Sequence, residues 1–229
     1  MEPDNELEHY LQHAPILYVG AFERGGAHPE KRLVVLEGGV ATLAKPAVSG
    51  HPDAATCANC EVAGWVLARA LGWTDLVATT IMRPIQIDED GDEIDASLQV
   101  VWHALEAAGE RNATPSSCDE RQCWQVAVFD AICRNTDRNE GNWGFIRNDS
   151  RVRLLDHGYA FEQWPGRTPL SAFVDHVGDD EVPGDLREDV EMFLDAPRES
   201  LQEVLSADAR SAVYERAQHV AEVGILPRL

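Results

Sequence analysis

Asp137 and Asn142 are separated by four residues, and Asp156 follows them across two short apolar runs, residues 143–146 and 152–155, joined by the polar turn Arg147-Asn148-Asp149-Ser150. Two apolar runs around such a turn read as a β-hairpin. A hairpin returns the chain to its starting point, so Asp156 is expected beside Asn142, where a carboxylate and an amide oxygen can serve one hard cation. Phosphoryl transfer asks for this set: a positioned acceptor hydroxyl and divalent charge set against the phosphate oxygens. Each of these residues alone is an ordinary turn residue. Their joint spacing, behind an apolar helix, is what limits the architecture.

The interval from Asp137 to Asn142 is that of the protein-kinase catalytic loop, with Thr-Asp-Arg in place of His-Arg-Asp. Asn135-Thr136-Asp137-Arg138 followed by Asn142 resembles the catalytic loop of HipA-like serine/threonine kinases. Arg134 to Arg138 with Asn142-Trp143, and Asp156-His157-Gly158-Tyr159-Ala160-Phe161, also resemble type II phosphatidylinositol 4-kinases. Both belong to the protein-kinase-like group related to phosphatidylinositol kinases. The resemblance implies an α+β, two-lobed protein-kinase-like fold. Its N-lobe, residues 1–105, would hold a small antiparallel sheet and one helix, and its C-lobe, residues 106–229, would be mostly helical. The implied ligands are ATP and Mg²⁺. Asp137 is the implied catalytic base, Arg138 beside it acts on substrate or braces the loop, and Asn142 and Asp156 are the implied metal ligands.

Upstream, residues 16–22, 33–36 and 40–44 are β-prone at hairpin spacing and predict an antiparallel sheet. Their first turn carries Arg24-Gly25-Gly26-Ala27-His28, and glycines allow backbone N–H groups to approach phosphate oxygens. HipA-like kinases carry a similar Gly-Ala-X-(Pro)-Lys loop here; in this chain Glu30 intervenes before Lys31. Lys45 closes the third strand, where kinases place the lysine that holds the α- and β-phosphates. Helical periodicity predicts a helix over about 57–71. Glu61 is, by resemblance, the partner of Lys45, although on a helical wheel it falls opposite the apolar stripe, as an exposed glutamate does.

Residues 76–82, 85–87 and 98–103 read as further strands, and Trp102 and His103 fall in a hinge over 102–105 that would pass behind the adenine. Residues 106–116 read as a polar connection. Ser117 and Glu120 form a capping box for a helix running to the catalytic loop, with Asp130 exposed or supporting that loop. The stretch 162–182 reads as irregular, and helices are expected over 185–194, 198–205 and 207–223.

Forty acidic residues face 19 basic ones, a formal charge of −21, which disfavours nucleic acid and anionic lipid as partners. No run of 18 apolar residues occurs and the first residues are acidic, unlike a signal peptide. The expectation is a cytoplasmic protein with no nucleic acid or membrane partner. ATP, a protein substrate, and an antitoxin-like or regulatory protein are the candidate partners. The rival readings are a lipid or small-molecule kinase, a non-catalytic nucleotide-binding or acidic interaction module, and a metal nuclease, which leaves Lys45 and the glycine turn without roles. Five cysteines do not suggest a disulfide framework. Cys57 and Cys60 have zinc-ligand spacing, but Cys118 and Cys123 make a poor second half, so reduced thiols are expected.

Overall fold

The structure, a computed structural model, describes residues 3–22, 31–47, 54–87, 91–161, 168, 170–196 and 201–227. Strands β1 (Ile16–Ala21), β2 (Arg32–Leu36), β3 (Ala41–Pro46), β4 (Thr80–Gln86) and β5 (Glu93–Val100) form one antiparallel sheet in the order β1-β2-β3-β5-β4. The two-residue period of a strand divides β3 between two faces. Thr42 and Ala44 are buried, while Leu43 and Lys45 share the other face and line a cleft. Helix α1 (Pro3–His13) sends Leu11 into a core with Val34, Leu36, Ala44, Ile85 and Leu98.

Helix α2 (Ala54–Ala70) buries twelve of its 17 residues. It packs on the sheet and also joins the core of the second half through Trp65, Leu67 and Ala68. Ala55 and Asn59 near its start are exposed, but every residue from Cys60 to Ala68 is buried, so this part of the helix has no solvent face. For this reason Glu61, opposite the apolar stripe on the wheel, is 1% exposed rather than solvated. Gly64 is required by the same closeness: an added Cβ there would meet the His157 ring at 2.8 Å.

Residues 101–104 lead to a second, three-stranded sheet, β6 (Leu105–Ala107), β7 (Trp143–Ile146) and β8 (Val152–Leu154). Around it lie α3 (Ala108–Arg111), α4 (Glu120–Cys133), α5 (Ala172–Val177), α6 (Gly184–Asp195) and α7 (Ala207–Val223). Trp143 is buried edge-on against Phe173, ring centroids 4.8 Å apart, which pins the hairpin to α5. An aromatic pair of this kind is worth about 0.5–1.5 kcal/mol beyond the area it buries. The observed architecture is the expected α+β, two-lobed kinase-like one.

Several elements differ from the sequence expectation. Residues 76–78 are no strand; Val77 makes only a parallel bridge to Leu154. The runs at 80–82 and 85–87 are largely one strand, β4, which carries Pro84 through its middle. Because β4 ends the sheet, the missing N–H of Pro84 costs no ladder bond. β5 stops at Val100, so Trp102 and His103 lie beyond it. The polar connection holds α3. Asp119, not Ser117, caps α4, accepting from the N–H groups of Arg121 and Gln122. The irregular stretch contains α5, and residues 201–205 form turns in place of a helix.

Candidate active site

Helix α4 ends at Arg134, whose left-handed φ of 49° turns the chain into the loop carrying Asp137. The loop is held from two directions. Thr136 donates through both its amide (3.2 Å) and its hydroxyl (2.6 Å) to the carbonyl of Tyr159, and the Asp137 N–H donates to Asn135 Oδ1 at 2.8 Å. The Asp137 carboxylate is half-buried and accepts from Asn139 Nδ2 at 2.9 Å and Asn142 Nδ2 at 3.2 Å. Asn142 also donates through Nδ2 to the Asp137 carbonyl at 2.7 Å. An amide facing two acceptors presents its NH₂ to them, which leaves Oδ1 as its acceptor.

Arg138 does not enter the cleft. It is fully buried and forks onto the equally buried Asp130 at 3.0–3.2 Å, while its Nη1 donates to the carbonyls of Asn142 and Leu155 at 2.6 Å each. Of the two roles left open, the geometry gives it the bracing one, and the placement of Arg138 among catalytic groups is corrected accordingly. Asp130 is likewise not exposed. Its Oδ2 also accepts from Ser171 Oγ at 2.7 Å, and the Arg138 N–H donates to the Leu170 carbonyl at 2.9 Å. Sequence reading left Asp130 between exposure and support of the loop, because it lies off the apolar stripe of the helix; in the structure every residue of α4 from Val126 to Cys133 is buried, so the position off the stripe is no solvent face.

The hairpin closes as its sequence predicts, with Trp143 opposite Leu154 and the Leu155 N–H donating to the Asn142 carbonyl at 2.9 Å. Asp156 follows at a φ of 51°, a left-handed conformation that Asp and Asn adopt more readily than most residues other than Gly. Its Oδ1 lies 3.0 Å from Lys45 Nζ and its Oδ2 lies 3.4 Å from Lys31 Nζ. Lys45 also pairs with Glu61 Oε1, which accepts in addition from the His157 N–H at 3.1 Å. Lys31, immediately before β2, was not among the candidate site residues, because the sequence reading of that turn rested on its glycines.

The charges hold one another. Burial opposes the Lys45 ammonium, but Asp156 and Glu61 more than offset it, so its pKa lies above the ordinary lysine value. Burial also opposes the Asp156 carboxylate, and Lys45 and then Lys31 outweigh it, holding its pKa far below the carboxylate range. Glu61 is held low by Lys45 against its own burial. Burial lowers the pKa of His157, so its ring is neutral; its Nδ1 stands 3.7 Å from Glu61 Oε2, too long for a hydrogen bond.

These side chains open on one cavity of about 590 Å³ between the two sheets. Lys31, Lys45, Asp137, Asn142 and Asp156 form its polar lining, and Leu43, Val100, Val101, Trp102 and Leu105 its apolar part. Trp102 is therefore at the cavity as expected. His103 is exposed and is not among the residues lining it, which corrects its assignment to the adenine site. Arg24, Gly25, Gly26, Ala27 and His28 lie outside the described residues. Among the described residues no three His, Cys, Asp or Glu side chains cluster to hold a metal. The hard oxygens of Asn142 and Asp156 suit a divalent cation that takes further ligands from phosphates and water. Cys57 and Cys60 are buried on α2 and form no disulfide.

The fold class this geometry belongs to is the protein-kinase-like one. No family model matches the chain, and no curated protein matches it in sequence. Solved structures do match its fold. The Golgi casein kinase with Mn and ADP bound superimposes with a TM-score of 0.64 at 14% identity, covering 95% of this chain and 74% of that one. A hydra Fam20 with sugar gives 0.63 at 12% identity over 97% and 90%. The Helicobacter pylori proinflammatory kinase CtkA gives 0.51 at 13% identity over 94% of each chain. Among the described residues no helix is long and apolar enough to cross a membrane.

Proposed function

We propose that this chain is an ATP- and Mg²⁺-dependent kinase that phosphorylates a hydroxyl group, in the first instance a serine or threonine of a protein. The observation that carries the reading is the convergence of Lys45 from β3, Asp137 and Asn142 from the loop after α4, and Asp156 from the end of the hairpin on one cavity, with Glu61 of α2 paired to Lys45 behind it. Kinase structures of the same fold, one holding Mn and ADP, support it. The serine/threonine acceptor rests on the HipA-like pattern of Asn135 to Arg138 with Asn142, and the charge of −21 weighs against an anionic lipid.

Asp137 accepts the proton of the acceptor hydroxyl as that oxygen bonds to the γ-phosphorus and the bond to the β-γ bridging oxygen breaks, leaving ADP. Asn139 and Asn142 orient its carboxylate. Lys45, held by Glu61 and Asp156, meets the phosphate oxygens, and Lys31 brings a second ammonium to the same place. Asn142 and Asp156 would hold Mg²⁺, which when bound neutralises charge on the phosphates. Arg138 fixes the distance between the two ends of the hairpin that carry these ligands.

The test is incubation with γ-labelled ATP and Mg²⁺, with either a cell extract or phosphatidylinositol vesicles as acceptor. Label on serine or threonine, located by mass spectrometry, is the expected result. Label in lipid alone overturns the acceptor class. No label in either, with no calorimetric heat from ATP and Mg²⁺, overturns the kinase reading.

A further inference from the structure

We infer that Gln99 selects the purine base of the nucleotide: its side-chain carbonyl is fixed as an acceptor for the 6-amino group of adenine and is set against the 6-oxo group of guanine. The inference rests on the kinase reading and adds the residue that chooses the base.

Gln99 is 7% exposed and lines the cavity from β5, one residue before Val100 and the connection to β6. The β4–β5 register places Thr80 directly opposite it. The Thr80 hydroxyl donates its single proton to the Ala78 carbonyl at 2.8 Å. Toward Gln99 that oxygen can therefore only accept, and Gln99 Nε2 donates to it at 3.2 Å. This fixes the amide, whose two ends are otherwise interchangeable. One N–H of the amide is spent on β4, which turns the NH₂ end to Thr80, and among the described residues no donor meets Oε1.

The Gln99 carbonyl oxygen is not sealed in the interior but opens on the cavity, where it can accept from a ligand N–H. Leu43, Val100, Val101, Trp102 and Leu105 give the same cavity the apolar lining that suits a flat heterocycle. Adenine offers an exocyclic amine to an acceptor in this wall. Guanine would set a second acceptor oxygen against it, and the Thr80–Ala78 bond prevents Gln99 from turning to present its NH₂ instead. Sites that hydrogen-bond a substrate group discriminate against analogues lacking it far better than apolar ones do.

The test is calorimetric affinity, with Mg²⁺, for ATP, GTP and purine riboside triphosphate, which lacks the 6-amino group. The wild-type chain is expected to bind ATP about tenfold or more tightly than either analogue. In Gln99→Leu the preference should collapse to within about threefold, and in Thr80→Val, where the amide is free to turn, GTP should gain relative to ATP. Comparing analogues on the wild-type chain keeps the inference exposed if a variant does not fold. Equal wild-type affinity for all three nucleotides, or an undiminished preference in folded Gln99→Leu, overturns the role of Gln99 and leaves the kinase reading standing. No binding of any triphosphate overturns the kinase reading and the base selection with it.

Discussion

Two networks of buried charge lie on either side of the Asp156 backbone, and they are satisfied to very different degrees. Beneath the catalytic loop, Arg138 and Asp130 are both fully buried, and the guanidinium reaches a carboxylate and two backbone carbonyls while Ser171 adds a donor to Asp130. In the cleft, Lys45 and Lys31 share one carboxylate, Glu61 Oε2 is buried without a hydrogen-bond partner, and both ring nitrogens of His157 are in the same condition. The first network is closed and has nothing left to offer a ligand. The second holds two cations around carboxylates that phosphate oxygens and a metal ion could redistribute. One braces, and the other is arranged to exchange partners.

The largest expected effect tests the cleft. Asp137→Ala and Asp156→Asn should lower phosphoryl transfer by about 10²–10⁴-fold, the range over which general bases and electrostatic groups act. The Asp137 carboxylate is half-buried and accepts from two amides, so in Asp137→Ala unfolding in denaturant should shift by no more than about 1 kcal/mol; Asp156→Asn also releases two lysines and should cost more than that at neutral pH, though less than breaking the closed pair. A stability loss matching that of a buried ion pair would erase the distinction between the two networks.

Arg138→Ala should behave in the opposite way. Removing one member of a buried pair leaves Asp130 uncompensated and costs about 3–5 kcal/mol, read from the denaturant midpoint. Activity should fall with it, because the hairpin ends lose their clamp. If Arg138→Ala keeps its stability while losing transfer, Arg138 belongs with the substrate after all. Glu61→Gln lies between: it retains a hydrogen bond to Lys45 but removes the charge, and the rate should drop about 10–100-fold with little change in fold.

How legible these networks were follows from how local their causes are. The hairpin, the adjacency of Asn142 and Asp156, and the cleft-facing Lys45 depend on turn chemistry and the period of a strand, which act over a few residues. Glu61 was named as the partner of Lys45, as the structure has it, by resemblance alone; the helical wheel pointed the other way because it treats α2 as lying on a surface, whereas Trp65 and Leu67 carry it into the core shared with the second half. Arg138 was left between two roles because its partners, Asp130, Leu155 and Ser171, come from three elements whose meeting no short pattern announces. The two runs read as separate strands on either side of residues 83–84 are one strand, and Pro84 within it is tolerated because tertiary order makes β4 an edge.

The smallest effect concerns acid, and it separates the networks again. Asp156 and Glu61 titrate below their unfolded values in the folded chain. Each therefore binds fewer protons folded than unfolded once the pH falls into the ordinary carboxylate range. The stability they contribute is fully present above about pH 5 and is lost progressively as pH drops through about 4 toward their folded values. Chemical denaturation between pH 6 and 3 should show stability falling with acid, and Asp156→Asn should make that fall shallower by removing one of the protons taken up on unfolding. An identical slope in the variant would mean that the two lysines do not hold the Asp156 carboxylate as their placement indicates. The cleft's charges would then contribute no more to the folded state than exposed ones do.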